Sequence, residues 1–192
     1  MTERNKFAFS GFILEKLSCH RNIENFNCGD TDLNEYFQHD SENYKNELLT
    51  QTYCFYRINT SQQDAVALVD FCNDSLARAF IPNRSKRQIN HRKRGYKSFP
   101  AIKITRLGVD VSMQRMNIGT TLLDAIKLFF ITDNRTGCRF LTVDAYRGAS
   151  EFYRRNGFID AEAHHGEDTS YSPTIPLFFD LMRVKATQEN LS

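Results

Sequence analysis

A chain of 192 residues with 41% apolar and 25% charged residues has the size and composition of one soluble globular domain, which excludes a fibre or a disordered chain. Its apolar runs, such as Ile126 to Ile131 and Ile175 to Leu181, are interrupted by Lys127, Pro176 or Asp180. They fall far short of the roughly 20 residues that cross a bilayer, which excludes a transmembrane helix. The net charge of +2 hides an asymmetry: seven Lys/Arg and no acid lie between Arg84 and Lys97, leaving 18 basic against 23 acidic residues elsewhere.

The N-terminal Met1-Thr2-Glu3-Arg4-Asn5-Lys6 lacks the apolar core and cleavage site of a secretory signal, so a cytoplasmic protein is expected. Cys19, Cys28, Cys54, Cys72 and Cys138 are odd in number and show neither a CxxC pair nor zinc-ligand spacing, and they read as free thiols of a reducing compartment. His164-His165, among Glu162, Glu167 and Asp168, reads as a solvated loop, because adjacent histidines do not turn both rings on one ion. No metal is expected. Without repeats or Pro/Gly/Ser linkers, residues 1–192 are expected to form a single domain with its core at about 10–185.

In chain order, Asp30 or Thr31 caps a helix reaching about Leu48, with Leu33, Tyr36, Phe37 and Tyr44 on its apolar face. Thr52 to Asn59 and Ala65 to Cys72 read as strands of a hairpin around the polar Thr60 to Asp64. The basic segment 83–98 lacks a hydrophobic period and reads as a loop with one helical turn, closed by Phe99-Pro100. From Ile102 to Val109 the apolar parity switches, which predicts a β-bulge near Thr105-Arg106. Ile118, Leu122, Ala125, Ile126, Phe129 and Phe130 recur at helical spacing to about Thr132. A strand Phe140 to Ala145 follows, then a helix from about Gly148 to Arg155 with Asn156-Gly157 at its C-cap. Strand, helix, strand makes a βαβ unit with a parallel pair. Thr174 to Val184 reads as a terminal strand followed by a frayed tail.

Between the strand end Leu107-Gly108-Val109-Asp110 and the helix start lies the turn Gln114-Arg115-Met116-Asn117-Ile118-Gly119-Thr120. Free N–H groups and the partial positive charge at a helix start suit a phosphate there. Further on, Ala149, Phe152-Tyr153 and Gly157-Phe158 stand at fixed spacing. Together these segments resemble the GNAT family of acetyl-coenzyme A-dependent N-acetyltransferases. Its members carry a strand ending Leu-Gly-Val, a Q/R-x-x-G-x-G/A turn on the coenzyme pyrophosphate, and a later A-x-x-F-Y-x-x-x-G-F helix. Here Asn117 replaces the turn's first glycine, and Tyr146 stands where an asparagine often precedes the alanine. Phe26-Asn27-Cys28-Gly29-Asp30 with Leu33 and Tyr36-Phe37 is similar to the opening of the GNAT branch containing tRNA-acetylating toxins, so the resemblance spans about residues 10 to 185.

The resemblance implies an α/β fold (α+β by layer): a mixed central sheet, splayed between the parallel strands Ile102 to Val109 and Phe140 to Ala145, with helices on both faces. In it, Leu107, Gly108 and Val109 meet the pantetheine arm and the residues from Gln114 to Thr120 hold the pyrophosphate. Acetyl-coenzyme A is the co-substrate, attacked directly by an amine without a covalent enzyme intermediate. Tyr153 is the expected catalytic residue, donating a hydrogen bond or proton to the leaving thiolate. No Glu or Asp lies between Ile102 and Val109 to act as base, which favours an α-amine over a lysine as acceptor. Arg84, Lys86, Arg87, Arg92, Lys93, Arg94 and Lys97, with His91 and Tyr96, form a candidate nucleic-acid contact, and aminoacyl-tRNA is the acceptor they suggest. A small amine or a protein N-terminus is the alternative acceptor, and a non-catalytic RNA- or coenzyme-binding module the alternative class. Candidate protein partners are an antitoxin on a separate chain and a second copy of this one. A P-loop NTPase is a poor fourth option, because no Gly-Lys-Ser/Thr follows the turn.

Overall fold

A computed structural model describes residues 6–17, 23–58, 64–87, 89, 95–132, 137–161 and 172–189. Their strands form an eight-stranded mixed sheet in the order β1-β2-β3-β4-β5-β6-β8-β7, mostly antiparallel with one parallel pair and flanked by helices. The neighbours β5 (Ser98–Val109) and β6 (Phe140–Tyr146) are joined through helix α4 (Ile118–Thr132), the crossover that a parallel pair requires. Contacts group the chain into two units, Met1–Cys72 with Ile104–Phe129, and Asn73–Lys103 with Phe130–Ser192.

In the first unit, β1 (Lys6–Phe9) and β2 (Phe12–Lys16) form a hairpin that the sequence reading did not anticipate. Its two-residue turn is Ser10-Gly11, both at positive φ (50° and 81°), the geometry that matches the twist of paired strands. The expected helix begins as read: the Asp30 side chain accepts the Leu33 N–H at 3.0 Å. It is not uniform, however. Helix α1 (Thr31–Glu35) passes through a wider π-helical turn, Tyr36–Asp40, into α2 (Ser41–Asn46). That wide turn lets the adjacent Tyr36 and Phe37 both reach the core, at 5% and 0% exposure. They pack with Ile23, Phe26, Cys54, Tyr56, Ala65 and Leu68 on one face of β3 (Gln51–Arg57) and β4 (Ala67–Ala77). From α4, Phe129 meets Phe7 and Tyr53 edge-on.

Strand β4 runs five residues beyond the expected Cys72 to Ala77. Its extension alternates in burial, and Leu76 joins Ile81, Ile89, Phe99, Ala101, Phe140 and Phe178 in the core of the second unit. The basic segment there holds one four-residue helix, α3 (Asn83–Lys86), after a short turn, Arg78–Phe80. Cys19, His91, Arg92, Lys93, Arg94, Glu162, His164, His165, Glu167 and Asp168 lie outside the described residues. Helix α5 (Arg147–Arg155) closes at Gly157. Its φ of +84° disfavours a side chain, and so does Phe179, which lies 3.1 Å from where a Cβ would stand. The short strand β7 (Ile159–Asp160) pairs with β8 (Thr174–Asp180).

The expected terminal strand to Val184 is corrected: β8 stops at Asp180, and a helix, α6 (Met182–Glu189), replaces the tail. The cause is local. Asp180 accepts the Met182 N–H at 3.0 Å and an Arg139 N–H at 2.8 Å, and good helix formers such as Met182, Lys185, Ala186 and Gln188 follow. No helix among the described residues is long and apolar enough to cross a membrane.

Candidate functional site

The two sequence segments that carry the resemblance in the first unit pack directly on each other. Asp110 directly follows β5 and binds three donors: Asn27 N–H at 3.0 Å, Ser112 N–H at 3.0 Å and the Ser112 hydroxyl at 2.5 Å. Desolvation raises the proton affinity of this carboxyl, but those three hydrogen bonds outweigh it and hold the group below the ordinary aspartate range. Val111 N–H donates to Asn27 O at 2.8 Å, and the Gln114 amide donates to Cys28 O and Val109 O at 2.8 and 3.0 Å. Gln114 is thus a strap between the 26–30 turn and the end of β5.

Gly108 explains why that turn fits. A Cβ there would stand 3.1 Å from Cys28 Cβ and 3.3 Å from Phe26 Cζ, so its bare α-carbon lets the turn lie against the strand. Asn34, which the sequence reading missed, ties the turn together: its oxygen accepts Cys28 N–H at 2.9 Å and its amide donates to Asn27 at 2.9 Å. Burial, together with the charges of Asp30 and Asp110, pushes the Cys28 thiol up and keeps it protonated, unlike a nucleophile.

The turn after Asp110 is exposed from Gln114 to Asn117. Arg115 and Asn117 both hold positive φ, 61° and 62°. Asparagine at 117 therefore adopts the left-handed backbone that the resemblance assigns to a glycine, and it does so at lower cost than most residues. The ladder of α4 begins with Thr121 N–H on Asn117 O at 3.0 Å, so the amides of Ile118, Gly119 and Thr120 have no place in it. Such amides at the start of a 15-residue helix have the geometry that can accept an anion. Leu107 and Val109 are half-buried at the end of β5.

Beside this strand lies a cluster that the sequence reading missed altogether. Asp70 of β4 is fully buried, at 0% exposure, and its carboxylate takes hydroxyl hydrogen bonds from Tyr36, Thr52 and Thr105, each at 2.8 Å. Arg106 stands 3.6 Å from Asp70 Oδ2, with its guanidinium 3.4 Å above the Tyr36 ring and 5.3 Å from the Tyr44 ring. The neighbours Thr105 and Arg106 thus both reach the same carboxylate, at the place in β5 where the apolar parity predicts a bulge. The clue was an acid inside the apolar run Leu68-Val69-Asp70-Phe71, since a buried charge demands partners.

The second unit holds Tyr153, Arg84, Lys86, Arg87 and Lys97. Tyr153 is buried, at 6% exposure, between the rings of Phe152 and Phe158, 5.1 and 5.4 Å away. Its phenol makes no hydrogen bond among the described residues, and burial pushes its proton affinity well above the ordinary phenol range. A neutral, partnerless donor on a packed ring is the result. Arg84 and Arg87 are exposed, Lys86 is half-buried, and Lys97 is exposed beside Tyr96. On the sheet, Lys103 pairs with Asp144, and the Thr142 hydroxyl donates to Asp74 at 2.5 Å. Among the described residues no group of three or more His, Cys, Asp or Glu could hold a metal ion.

The family model described as an acetyltransferase (GNAT) domain matches residues 60–169. No sequence among the curated proteins matches the chain. A solved tyrosine-to-phenylalanine mutant of KacT superposes with a TM-score of 0.74 at 18% identity, covering 93% of this chain and 99% of that one. AtaT complexed with acetyl-methionyl-tRNA superposes at 0.72 with 23% identity over 92% and 98% of the two chains. A mutant AtaT toxin bound to the C-terminus of the antitoxin AtaR and acetyl-CoA gives 0.67 at 20% identity over 93% and 98%. At these identities the structures speak to the fold, whereas the family match covers more than half of the sequence. The chain belongs to the GNAT family, and it is an acetyl-coenzyme A-dependent acyltransferase.

Proposed function

We propose that the chain acts as one N-acetyltransferase domain that moves the acetyl group of acetyl-coenzyme A directly to a primary amine, the α-amine of an aminoacyl-tRNA. The observation that carries this reading is Tyr153, a buried phenol kept neutral by its surroundings and without a hydrogen-bond partner among the described residues. The ring is packed while the hydroxyl is not sealed from solvent, which leaves the O–H able to donate to a bound ligand. The amine nitrogen attacks the thioester carbonyl, and a tetrahedral intermediate forms. As the C–S bond breaks, Tyr153 O–H donates to the departing sulfur.

The coenzyme is held by the chain's own backbone. The amides from Arg115 to Thr120, at the start of α4, take the pyrophosphate, and the backbone of Leu107, Gly108 and Val109 pairs with the pantetheine arm. The acceptor is inferred from three features: the likeness to AtaT solved with acetyl-methionyl-tRNA, the exposed cations Arg84, Arg87 and Lys97, and the absence of an acid between Ile102 and Val109. A tyrosine is also the residue replaced in the KacT and AtaT mutants, which suits a phenol in this role. An antitoxin on another chain is the partner that this reading implies.

The test incubates the protein with labelled acetyl-coenzyme A and separate pools of charged tRNA, peptides and polyamines. Label in the charged tRNA alone is expected. Label in peptides or polyamines alone would reassign the acceptor, and no turnover in any pool would leave a coenzyme- or RNA-binding module.

A further inference from the structure

Arg106 is arranged to receive an anion, and the arrangement is unusual in what it withholds. The Asp70 carboxylate beside it spends its oxygens on hydroxyls: Tyr36 and Thr105 donate to Oδ2 and Thr52 to Oδ1, all at 2.8 Å. Arg106 approaches Oδ2 at 3.6 Å, close enough for charge attraction but beyond a hydrogen bond. Its guanidinium makes no side-chain hydrogen bond among the described residues, and none of its nitrogens is sealed from solvent. The plane is nevertheless fixed, lying 3.4 Å over Tyr36 with Tyr44 alongside, while 28% of the side chain stays exposed.

A guanidinium offers five donors in a planar fork that matches a phosphate or carboxylate. Here stacking and a buried countercharge orient that fork without consuming it. The neighbouring Leu107-Gly108-Val109 is the stretch assigned above to the coenzyme arm, which puts the fork at the reacting end of the strand. We propose that Arg106 binds a phosphodiester of the RNA acceptor as a fixed, bidentate anchor, with Tyr36 and Tyr44 as its platform and Asp70 as its rear support. This rests on the aminoacyl-tRNA reading, and binding rather than turnover tests it.

The experiment measures the affinity of the full chain for uncharged tRNA across a salt series, beside calorimetry with coenzyme A. Arg106→Met is expected to weaken tRNA binding about tenfold at low salt and to reduce the slope of log affinity against log salt by about one, the signature of one lost phosphate contact. Coenzyme affinity should stay within about twofold. Arg106→Lys keeps the charge but loses the fork, so it should keep the slope and still lose several-fold in affinity. It serves as the second variant if Arg106→Met does not fold. Unchanged tRNA affinity and slope in the folded variants would overturn the proposal, as would weakened coenzyme binding with tRNA binding intact. Competition of the wild type by free amino-acid carboxylate but not by tRNA would do the same. Wild-type acetylation of charged tRNA together with an indifferent Arg106→Met would sink the anchor and leave the proposed function standing.

Discussion

Replacing Asp70 by alanine should cost more stability than truncating any other side chain of its cluster. The carboxylate is fully buried and accepts three hydroxyls at 2.8 Å, with Arg106 at 3.6 Å. Hydrogen bonds to a charged acceptor contribute about 1.5–3 kcal/mol each. They do not simply add, because Tyr36 already lies 3.0 Å from Thr50 and can turn its hydroxyl there. Leaving the Thr52 and Thr105 hydroxyls without their acceptor and a partly exposed Arg106 without its countercharge gives an expected loss of about 3–4 kcal/mol, toward the low end of the about 3–5 kcal/mol found when one partner of a buried ion pair is removed. With a urea m-value of about 2 kcal/mol/M, the midpoint should fall by roughly 1.5–2 M, and m should not change. Thr105→Val, which removes one donor to the carboxylate, should cost about 1.5–2 kcal/mol. A midpoint shift below ~0.3 M for Asp70→Ala would refute the claim that this carboxylate organises the surrounding elements.

Tyr153→Phe should lower turnover by about a hundredfold, the small end of general-acid contributions, while calorimetry shows coenzyme A binding within about twofold of wild type. Unchanged turnover would remove the phenol from the mechanism. The pH dependence follows from the same group: kcat/KM should rise with the neutral fraction of an α-amine, with an apparent pKa of about 7.7–8.0, and then level off. Because burial raises the Tyr153 proton affinity, the acid keeps its proton as pH rises, so no falling limb is expected below pH ~9; a bell centred near neutrality would contradict this assignment. At the turn, Asn117→Gly should leave the melting temperature nearly unchanged and tighten coenzyme binding, since it keeps φ near 62° and removes a side chain. Asn117→Val should lose about 1–2 kcal/mol and weaken coenzyme binding, and a valine as well tolerated as glycine would show that the left-handed backbone does not matter.

What the sequence made legible was local. The Asp30 cap, the helical spacing from Ile118 to Phe130 and the Asn156-Gly157 stop each depend on residues within a turn or two of one another, and these elements form where read. The terminal strand was misread because Ile175 to Val184 is apolar almost throughout, and only the Asp180 cap tells where strand gives way to helix. The Asp70 cluster was not legible: its members come from α1's following turn, β3, β4 and β5, and no spacing in a single sequence announces a meeting of residues 36, 52, 70, 105 and 106. Likewise, Gln114 matched a coenzyme motif, but its side chain proves to be committed to Cys28 and Val109.

The Asp70 carboxylate also bears on the missing base. It touches Thr105 of the segment that lacks an acid of its own, yet its oxygens are engaged by three hydroxyls and its 0% exposure denies it contact with an amine. On the proposed reading, the acceptor must therefore bring its own readiness to react. At pH 7.4 an α-amine of pKa about 7.8 is roughly 30% neutral, whereas a lysine near 10.4 is about 0.1% neutral, a difference of some 300-fold. An enzyme that supplies a proton donor for the leaving thiolate but engages its buried carboxylate elsewhere gains that factor by choosing the α-amine. The same choice predicts that Asp70→Asn, if folded, alters stability far more than the pH at which the rate is half-maximal.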